Sequence, residues 1–570
     1  MPETSFKLCL TMAGAVSAGA YTAGVMDELL GVLDRWEKAK ARNLELGIDH
    51  PDYDHSIPMH RVELEVLSGA SAGGITATLA LKKILDSSHS TLENNSLLKD
   101  CWVSMADDET HYTLEKLLST KDLNKEKNVR SLLNAYPIEN LADRYLAPLK
   151  NLKKPSWLSE QAEVILTTTN LEGIDVNIDF NGAGTENGGH TITQHSSVFR
   201  FHAITDEKEP VPEPHRYATD LRLKEDAALL KAAALSTSAF PIGLPTRSVT
   251  LPHDPYLKYL PGKASESNLH IDIKNPHAHT PFPAIDGGLL NNEPYGWALK
   301  VLRENCAPAC ENNRYAVIMI DPLPSKPPST KSVGSMGLWN TLTGMFRALR
   351  NEVMLNQEGL AEAISLKDRT RFLIAPRKGG GYPEKWNALG KVLASAPLGG
   401  FAGFIGKDLR AHDYELGRRN CRDFLRFHFT LPVETAKVRL DQLPVETALD
   451  RFCIVRRDKS AASVMHFPII PDVRLKEARN QILLEGQVES KTYPVLPEFS
   501  MSDFIQQYQP LINKRLIALV RTLSGKWWLT LGFRLFLLRP LRKQLYKIIT
   551  GEMKFFDQNQ DAVAANNEVT

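Results

Sequence analysis

The sequence predicts an α/β domain over residues 1–325, built on a largely parallel central sheet, followed by a mainly helical C-terminal region. Three observations carry that prediction. Short β-like runs alternate with helix-period patterns from the N-terminus to about residue 325. The residues after those runs are Gly-rich, polar or Pro-containing, as loops at strand ends tend to be. Finally, 570 residues with 43% apolar side chains are ample for a buried core.

The candidate strands are Phe6–Leu10, Val62–Leu67, Val164–Thr168 and Tyr315–Ile320. Residues 174–222, polar and containing Gly and His, read as an irregular insertion crossing the surface. Pro322 to Ser335, rich in Pro, Ser and Lys, reads as a boundary. A mainly helical extension packing on the first domain is expected over 326–500, where Leu338, Leu342, Met345 and Leu349 recur at helical spacing. The hexapeptide LPVETA at 431–436 and 443–448 reads as two similar helix starts, since a solenoid needs longer units and more copies. Residues 501–551 read as a basic amphipathic helical segment and 552–570 as a polar, mobile tail.

Charge separates these parts. The chain carries 68 Lys+Arg against 67 Asp+Glu, a net +1 that excludes a chain basic throughout. Residues 504–551 hold nine cations and no carboxylate, so the rest is mildly acidic. In that stretch Ile512, Leu516, Leu519, Val520 and Leu523 share one helical face, and Trp527 and Trp528 open a second apolar group. Two readings stay open. The faces dock on the core, or they lie on an anionic membrane surface, with Trp527 and Trp528 at the boundary and Arg542, Lys543 and Lys547 toward lipid headgroups. No nucleic-acid module accompanies the cations, so no nucleic-acid partner is expected.

Residues 8–25 are uncharged and contain Ala18-Gly19-Ala20, which could pass for a secretory leader. The flanking residues lack a basic cluster and the run is rich in Gly, Ser and Thr, so the segment reads as part of the fold. No other stretch reaches about 18 uncharged apolar residues, and no spanning helix is expected. Six scattered cysteines read as reduced thiols, which suggests a cytoplasmic protein, peripheral at most at the inner face of a membrane. Cys306 and Cys310 lack a second pair, and His277 and His279 lack a third ligand, so no metal or other cofactor is expected.

Three strings carry the chemistry. GASAG, Gly69 to Gly73, lies between strand-like VELEVL and helix-like GITATLALKKIL, the context that makes G-x-S-x-G a nucleophile elbow. There Ser71 sits at a sharp turn, Gly69 and Gly73 leave room for it, and a helix N-terminus faces the developing oxyanion. The second string is Asp286-Gly287-Gly288 within AIDGGLLNNEP. The third is the loop Gly14-Ala15-Val16-Ser17-Ala18-Gly19 after the first strand, whose small residues let backbone N–H groups converge on an anion.

In this order the strings resemble the patatin-like phospholipases. LTTTNLEG at 166–173 and ALSTSAFPIGLP at 234–245 fit the same series, and the resemblance covers about residues 6–322. It implies a three-layer α/β domain and acyl transfer by a Ser–Asp dyad, with Ser71 as nucleophile and Asp286 as general base. The oxyanion hole would come from the N–H groups of Gly14, Ala15, Val16 and Ala72, and the substrate would be a phospholipid or other lipid ester. One departure stands out: the usual G-G-G-x-R-G loop is here GAVSAG, with Ala18 in the arginine's place. The variant loop and LRAHDYELGRRN at 409–420 resemble a subgroup of larger bacterial patatin-related proteins. Alternatives remain: a small-ester or thioester hydrolase with the same dyad, a non-catalytic lipid-binding scaffold, or a triad using His412, His428 or His466, although His412 lies in RAHDYELGRRN, which reads as a salt-bridged helical surface.

Overall fold

The heptapeptide FKLCLTM is buried at every position and forms strand β1 (Phe6–Met12) at the centre of the sheet. The structure is a computed structural model. It describes residues 5–125, 128–179, 189–205, 217–252, 269–271, 279–324, 369–377, 392–442, 446–457, 463–475, 482–483 and 493–567.

Strands β2 (Val62–Gly69) and β9 (Tyr315–Ile320) flank β1 in parallel. Strand β3 (Leu158–Asp179) pairs parallel with β2, and β10 (Arg371–Ile374) pairs parallel with β9. All four strands expected from the sequence are therefore present, in the order β9-β1-β2-β3, with β10 added at the edge beside β9. Beyond β3 the sheet turns mainly antiparallel, through β4 (Gly189–Ala203), β7 (Leu269–Ile271) and β8 (His279–Asp286), which also pairs with β6 (Arg247–Pro252).

That antiparallel side corrects the reading of 174–222 as an irregular insertion. Residues 174–179 continue β3 and pair with 189–194 of β4, and Tyr217–Thr219 forms β5 alongside β4. Ile174, Val176 and Ile178 alternate with Asp175, Asn177 and Asp179, a period of two that the polar composition disguised. A hydrogen-bonded ribbon needs no apolar composition to form.

Alternation along the strands builds three layers. Phe6, Leu8, Leu10 and Met12 face helices α1 (Gly19–Leu46) and α2 (Ala72–Leu85) on one side. Cys9, Val66, Ile165 and Val317 face α4 (Tyr295–Asn305) on the other. Helix α3 (Lys224–Thr237) lies against α2 and β3. On the α4 face Lys7 is buried and reaches Glu65 at 2.7 Å and Glu63 at 2.6 Å.

The C-terminal region packs on this domain through α5 (Lys407–Phe427), which lies against α1. Two glycines permit the contact: a methyl on Gly24 would stand 1.9 Å from the Tyr414 carbonyl, and one on Gly417 would stand 2.2 Å from that of Tyr21. Motif 409–420 is thus a buried interface and not the salt-bridged surface expected around His412. Arg410, Asp413 and Asn420 are fully enclosed, and each has a polar partner across the interface or in the neighbouring loop. The region also holds a four-stranded sheet, β11 (Thr430–Pro432), β13 (Ser463–Pro468), β12 (Ile454–Arg457) and β14 (Ile482–Leu483), alongside its helices. Each LPVETA copy runs into a helix, the first into Val433–Arg439 and the second into Glu446–Phe452. The helix expected around Leu338–Leu349 lies outside the described residues, as do His277 and most of 322–335.

The basic segment divides. Helix α6 (Met501–Ser524) docks on the protein, with Phe504, Tyr508, Ile512 and Leu519 buried. Its Arg515, 2% exposed, donates to the Asp122 carboxylate and to the Ser119, Ser131 and Leu132 carbonyls. After Gly525 come α7 (Trp527–Gly532), a π-helical turn (Phe533–Leu537) and α8 (Leu538–Asn567). The expected mobile tail is thus helical as far as Asn567. Met553 and Phe556 are buried there, packing with Ala394 and Phe504, which gives the helix a reason to persist. Trp527, Trp528, Leu535 and Phe536 are exposed. No helix among the described residues is long and apolar enough to cross a membrane.

Candidate active site

Strand β2 ends at Gly69 and helix α2 begins at Ala72, leaving two residues for the turn between them. Ser71 takes φ 51° and ψ −125°, a conformation that an L-residue holds only at a cost of about 1–3 kcal/mol. The surroundings enforce it. A methyl on Gly69 would lie 2.4 Å from Gly73, and one on Gly73 would lie 2.1 Å from the Met12 carbonyl. The Ser71 N–H donates to Thr237 Oγ1, on the last residue of α3, at 2.9 Å.

Asp286 is the final residue of β8, paired with Thr168 of β3. Its N–H donates to the Ala239 carbonyl at 3.0 Å, and its own carbonyl accepts from Thr169 Oγ1 at 3.1 Å. Gly287 must be glycine, since a methyl there would lie 2.2 Å from the Thr167 carbonyl. The Gly288 N–H donates to Asp286 Oδ1 at 2.7 Å, and Ser71 Oγ donates to Asp286 Oδ2 at 2.6 Å. Both side chains are buried, Ser71 at 8% exposure and Asp286 at 4%. A hydroxyl and a carboxylate 215 residues apart in sequence are therefore joined at the end of a strand and the start of a helix.

The glycine–alanine loop leads from β1 beneath the serine. A methyl on Gly14 would lie 2.9 Å from Ser71 Cβ and 2.5 Å from Asn292 Oδ1. The Gly14 N–H, expected to serve the oxyanion hole, already donates to the Asn292 carbonyl at 3.3 Å. Ala15 and Val16 follow, Val16 at φ 51°, before a short 3₁₀ turn over Val16–Ala18. Ala72 opens α2, where the positive end of the helix dipole meets the Ser71 hydroxyl.

The histidines considered for a triad have other surroundings. His412 Nδ1 lies 2.8 Å from the Asp413 carboxylate, and His466 Nδ1 lies 3.2 Å from Thr430 Oγ1. Burial pulls the His428 and His466 imidazoles down to about 3, which leaves them neutral at pH 7. His279 begins β8. Trp527 and Trp528 stand on α7, with Arg542, Lys543 and Lys547 on α8, the two lysines exposed and Arg542 half-buried.

Two neighbours of the pair escaped the sequence reading. Thr237 lies in the string ALSTSAFP and Asn292 in NNEP, both beside residues already singled out. Their signal was polar residues at the end of a helix and just after a turn, which alone does not distinguish a capping role from service to a distant serine.

The strand–serine–helix elbow and the aspartate at a strand end bring a serine hydroxyl and a carboxylate together on a three-layer α/β domain. The family model described as patatin-like phospholipase matches residues 10–299. An uncharacterized protein of Sinorhizobium fredii (strain NBRC 101917 / NGR234), y4iI, is 30% identical over a 523-residue alignment that covers 82% of this chain and 71% of that relative. The chain belongs to the patatin-like phospholipase family. Membership makes it a hydrolase of the lipid acyl class, with lipid esters as its kind of substrate.

Proposed function

We propose that this protein is a phospholipase A or lysophospholipase that cleaves carboxylic esters through an acyl-enzyme on Ser71, with Asp286 as general base. The observation that carries this reading is the 2.6 Å hydrogen bond from Ser71 Oγ to Asp286 Oδ2, made at the strained elbow. In the first step Asp286 takes the hydroxyl proton as Oγ bonds to the ester carbonyl carbon. The carbonyl electron pair moves onto oxygen, where the N–H groups of Ala15, Val16 and Ala72 stabilise it. The intermediate collapses, the C–O bond to the alcohol breaks, and that alcohol leaves with the proton from Asp286. Water then attacks the acyl-serine, giving its proton to Asp286, and the fatty acid is released as Ser71 recovers its hydrogen.

Gly288 supports this role by holding Oδ1, which leaves Oδ2 aimed at the serine. Thr237 supports it by giving the buried Ser71 N–H an acceptor.

The same reading places the working enzyme at an anionic lipid surface, in the cytoplasm. Trp527, Trp528, Leu531, Leu535 and Phe536 expose apolar area around α7, and Lys543 and Lys547 of α8 are close by in sequence. An aromatic and aliphatic face beside cations suits the boundary between acyl chains and acidic headgroups.

The test is to incubate wild type and Ser71→Ala with mixed phospholipid vesicles and identify products by mass spectrometry. Wild type is expected to release fatty acid together with lysolipid, or with the glycerophospho headgroup from lysolipid, and Ser71→Ala neither. Hydrolysis of short or thioester substrates alone would favour the small-ester alternative, and no hydrolysis of any ester would favour a lipid-binding scaffold.

A further inference from the structure

The oxyanion loop of this chain has an alanine where the family has an arginine, and Ala18 is fully enclosed. What holds the loop comes from elsewhere in the chain. Ser17 Oγ donates to the carbonyl of Gly400, 383 residues later. Gly400 belongs to a turn in which Leu398, Gly399 and Gly400 are all left-handed, at φ 60°, 66° and 95°. That turn presses its backbone against the loop: a methyl on Gly400 would lie 2.8 Å from the Ala15 carbonyl and 3.3 Å from Val16 Cβ. Gly403 closes from the other side, where a methyl would lie 2.5 Å from Ser17 Oγ.

The turn is itself anchored. The Asp413 carboxylate of α5 accepts from the N–H groups of Ala394 and Ser395 at 2.7 and 2.8 Å. The guanidinium of Arg410, also of α5, donates to the Gly403 carbonyl at 2.6 Å and to Asp107 at 2.6 Å. The ring of Phe401 meets Phe240 edge-on, with centroids 5.2 Å apart, two residues beyond Ser238 on the segment that carries Thr237 and Ala239. Helix α8 backs the segment, since Ile549, Met553 and Phe556 share a cluster with Ala394, Ala402 and Leu398.

A β-branched residue at φ 51°, as Val16 is, persists only where its surroundings over-determine it. Here the surroundings are the hydroxyl of its neighbour and the backbone of Gly400. We propose that segment 394–404 is a positioning element for the reaction: through Gly400 and Ser17 it holds the Ala15–Val16 donors where the oxyanion forms. The C-terminal extension then completes the active site of the N-terminal domain. The inference rests on the Ser71–Asp286 reading and is separable from it.

The test measures the rate at which a fluorophosphonate labels Ser71 in the full-length chain, because phosphonylation places a developing negative oxygen in the same hole. Ser17→Ala deletes one hydroxyl, and Gly400→Ala pushes a methyl into the loop. Removing an oxyanion donor outright costs about 10²–10³-fold, so displacing the pair is expected to slow labelling by about 10–100-fold. With a turned-over ester, kcat falls and KM holds, since the donors act on the transition state. Ser17→Thr, which keeps the hydroxyl, is expected to label at close to the wild-type rate. Thermal melts accompany each variant, and Ser17→Ala alone decides the outcome if Gly400→Ala does not fold. Wild-type labelling in a folded Ser17→Ala overturns the positioning role. If Asp286→Asn is slowed in the same experiment, the dyad reading survives that result. If wild type itself is not labelled, or Asp286→Asn labels at full rate, the dyad reading fails and the positioning role with it.

Discussion

Single atoms decide the chemistry proposed for Ser71. Its hydroxyl reaches one carboxylate oxygen, the other oxygen is held by Gly288, and its own N–H is held by Thr237. Replacing Asp286 by Asn keeps the shape and removes the proposed base, so hydrolysis is expected to fall by about 10²–10⁴-fold with little change in melting temperature. Thr237 acts one step further back. In Thr237→Val the Ser71 N–H loses its acceptor, a loss of about 1–3 kcal/mol for a buried donor. That energy leaves the elbow, so kcat is expected to drop about tenfold or more, and Thr237→Ser is expected to recover it. Unchanged steady-state kinetics in Thr237→Val would remove it from the site.

At the scale of elements, the interface between α1 and α5 joins the two regions, and Glu28 of α1 is its electrostatic centre. Burial alone would raise the carboxyl, but hydrogen bonds from Arg422 and Arg474 outweigh it and bring Glu28 down to about 2. The side chain is 1% exposed, and Arg418 reaches it at 3.1 Å. Since the folded value lies below the ordinary 4.5, the associated stability is fully present above pH 4.5 and is lost as pH falls from there toward 2. The difference corresponds to about 3 kcal/mol. Urea midpoints across that window are expected to fall steeply in wild type and much less in Glu28→Gln, which starts lower at pH 7. Parallel curves would contradict the assignment.

The same elements show what the sequence discloses and what it does not. GASAG and the aspartate motif were legible because a nucleophile elbow compresses its geometry into five residues and their flanks. The central strands were legible because FKLCLTM and YAVIMI are runs too short and apolar to be much else. The pairing of 174–179 with 189–194 was not, since the Asp and Asn residues between Ile174, Val176 and Ile178 disguise its period of two. Nor was the Gly400 contact with Ser17: the glycines of PLGGFAGF carry no address, and only the folded chain brings position 400 to position 17. Motif 409–420 looked like a charged surface because its arginines and acids satisfy one another across an interface invisible in one dimension.

At the scale of the whole molecule, charge and exposed apolar area meet at one end of the chain. The near-neutral total conceals nine cations in residues 504–551, and α6 withdraws Arg515 from them into the protein. What remains around α7 and the start of α8 is the proposed membrane face. Trp527→Ala/Trp528→Ala is expected to weaken sedimentation with anionic vesicles by about tenfold or more while fluorophosphonate labelling of Ser71 is unaffected. Raising salt is expected to weaken binding of wild type, because the lysines act on headgroups through screened charge. Sedimentation unchanged by both would contradict the membrane face.

The acyl-enzyme is the species on which the rest depends. Wild type turning over a chromogenic long-chain acyl ester is quenched in acid within the first turnovers, digested, and its peptides weighed. The expected result is the mass of one acyl group on the peptide containing Ser71, absent from Ser71→Ala. Turnover without any acyl adduct, or an adduct on a different residue that survives in Ser71→Ala, would contradict the proposed mechanism.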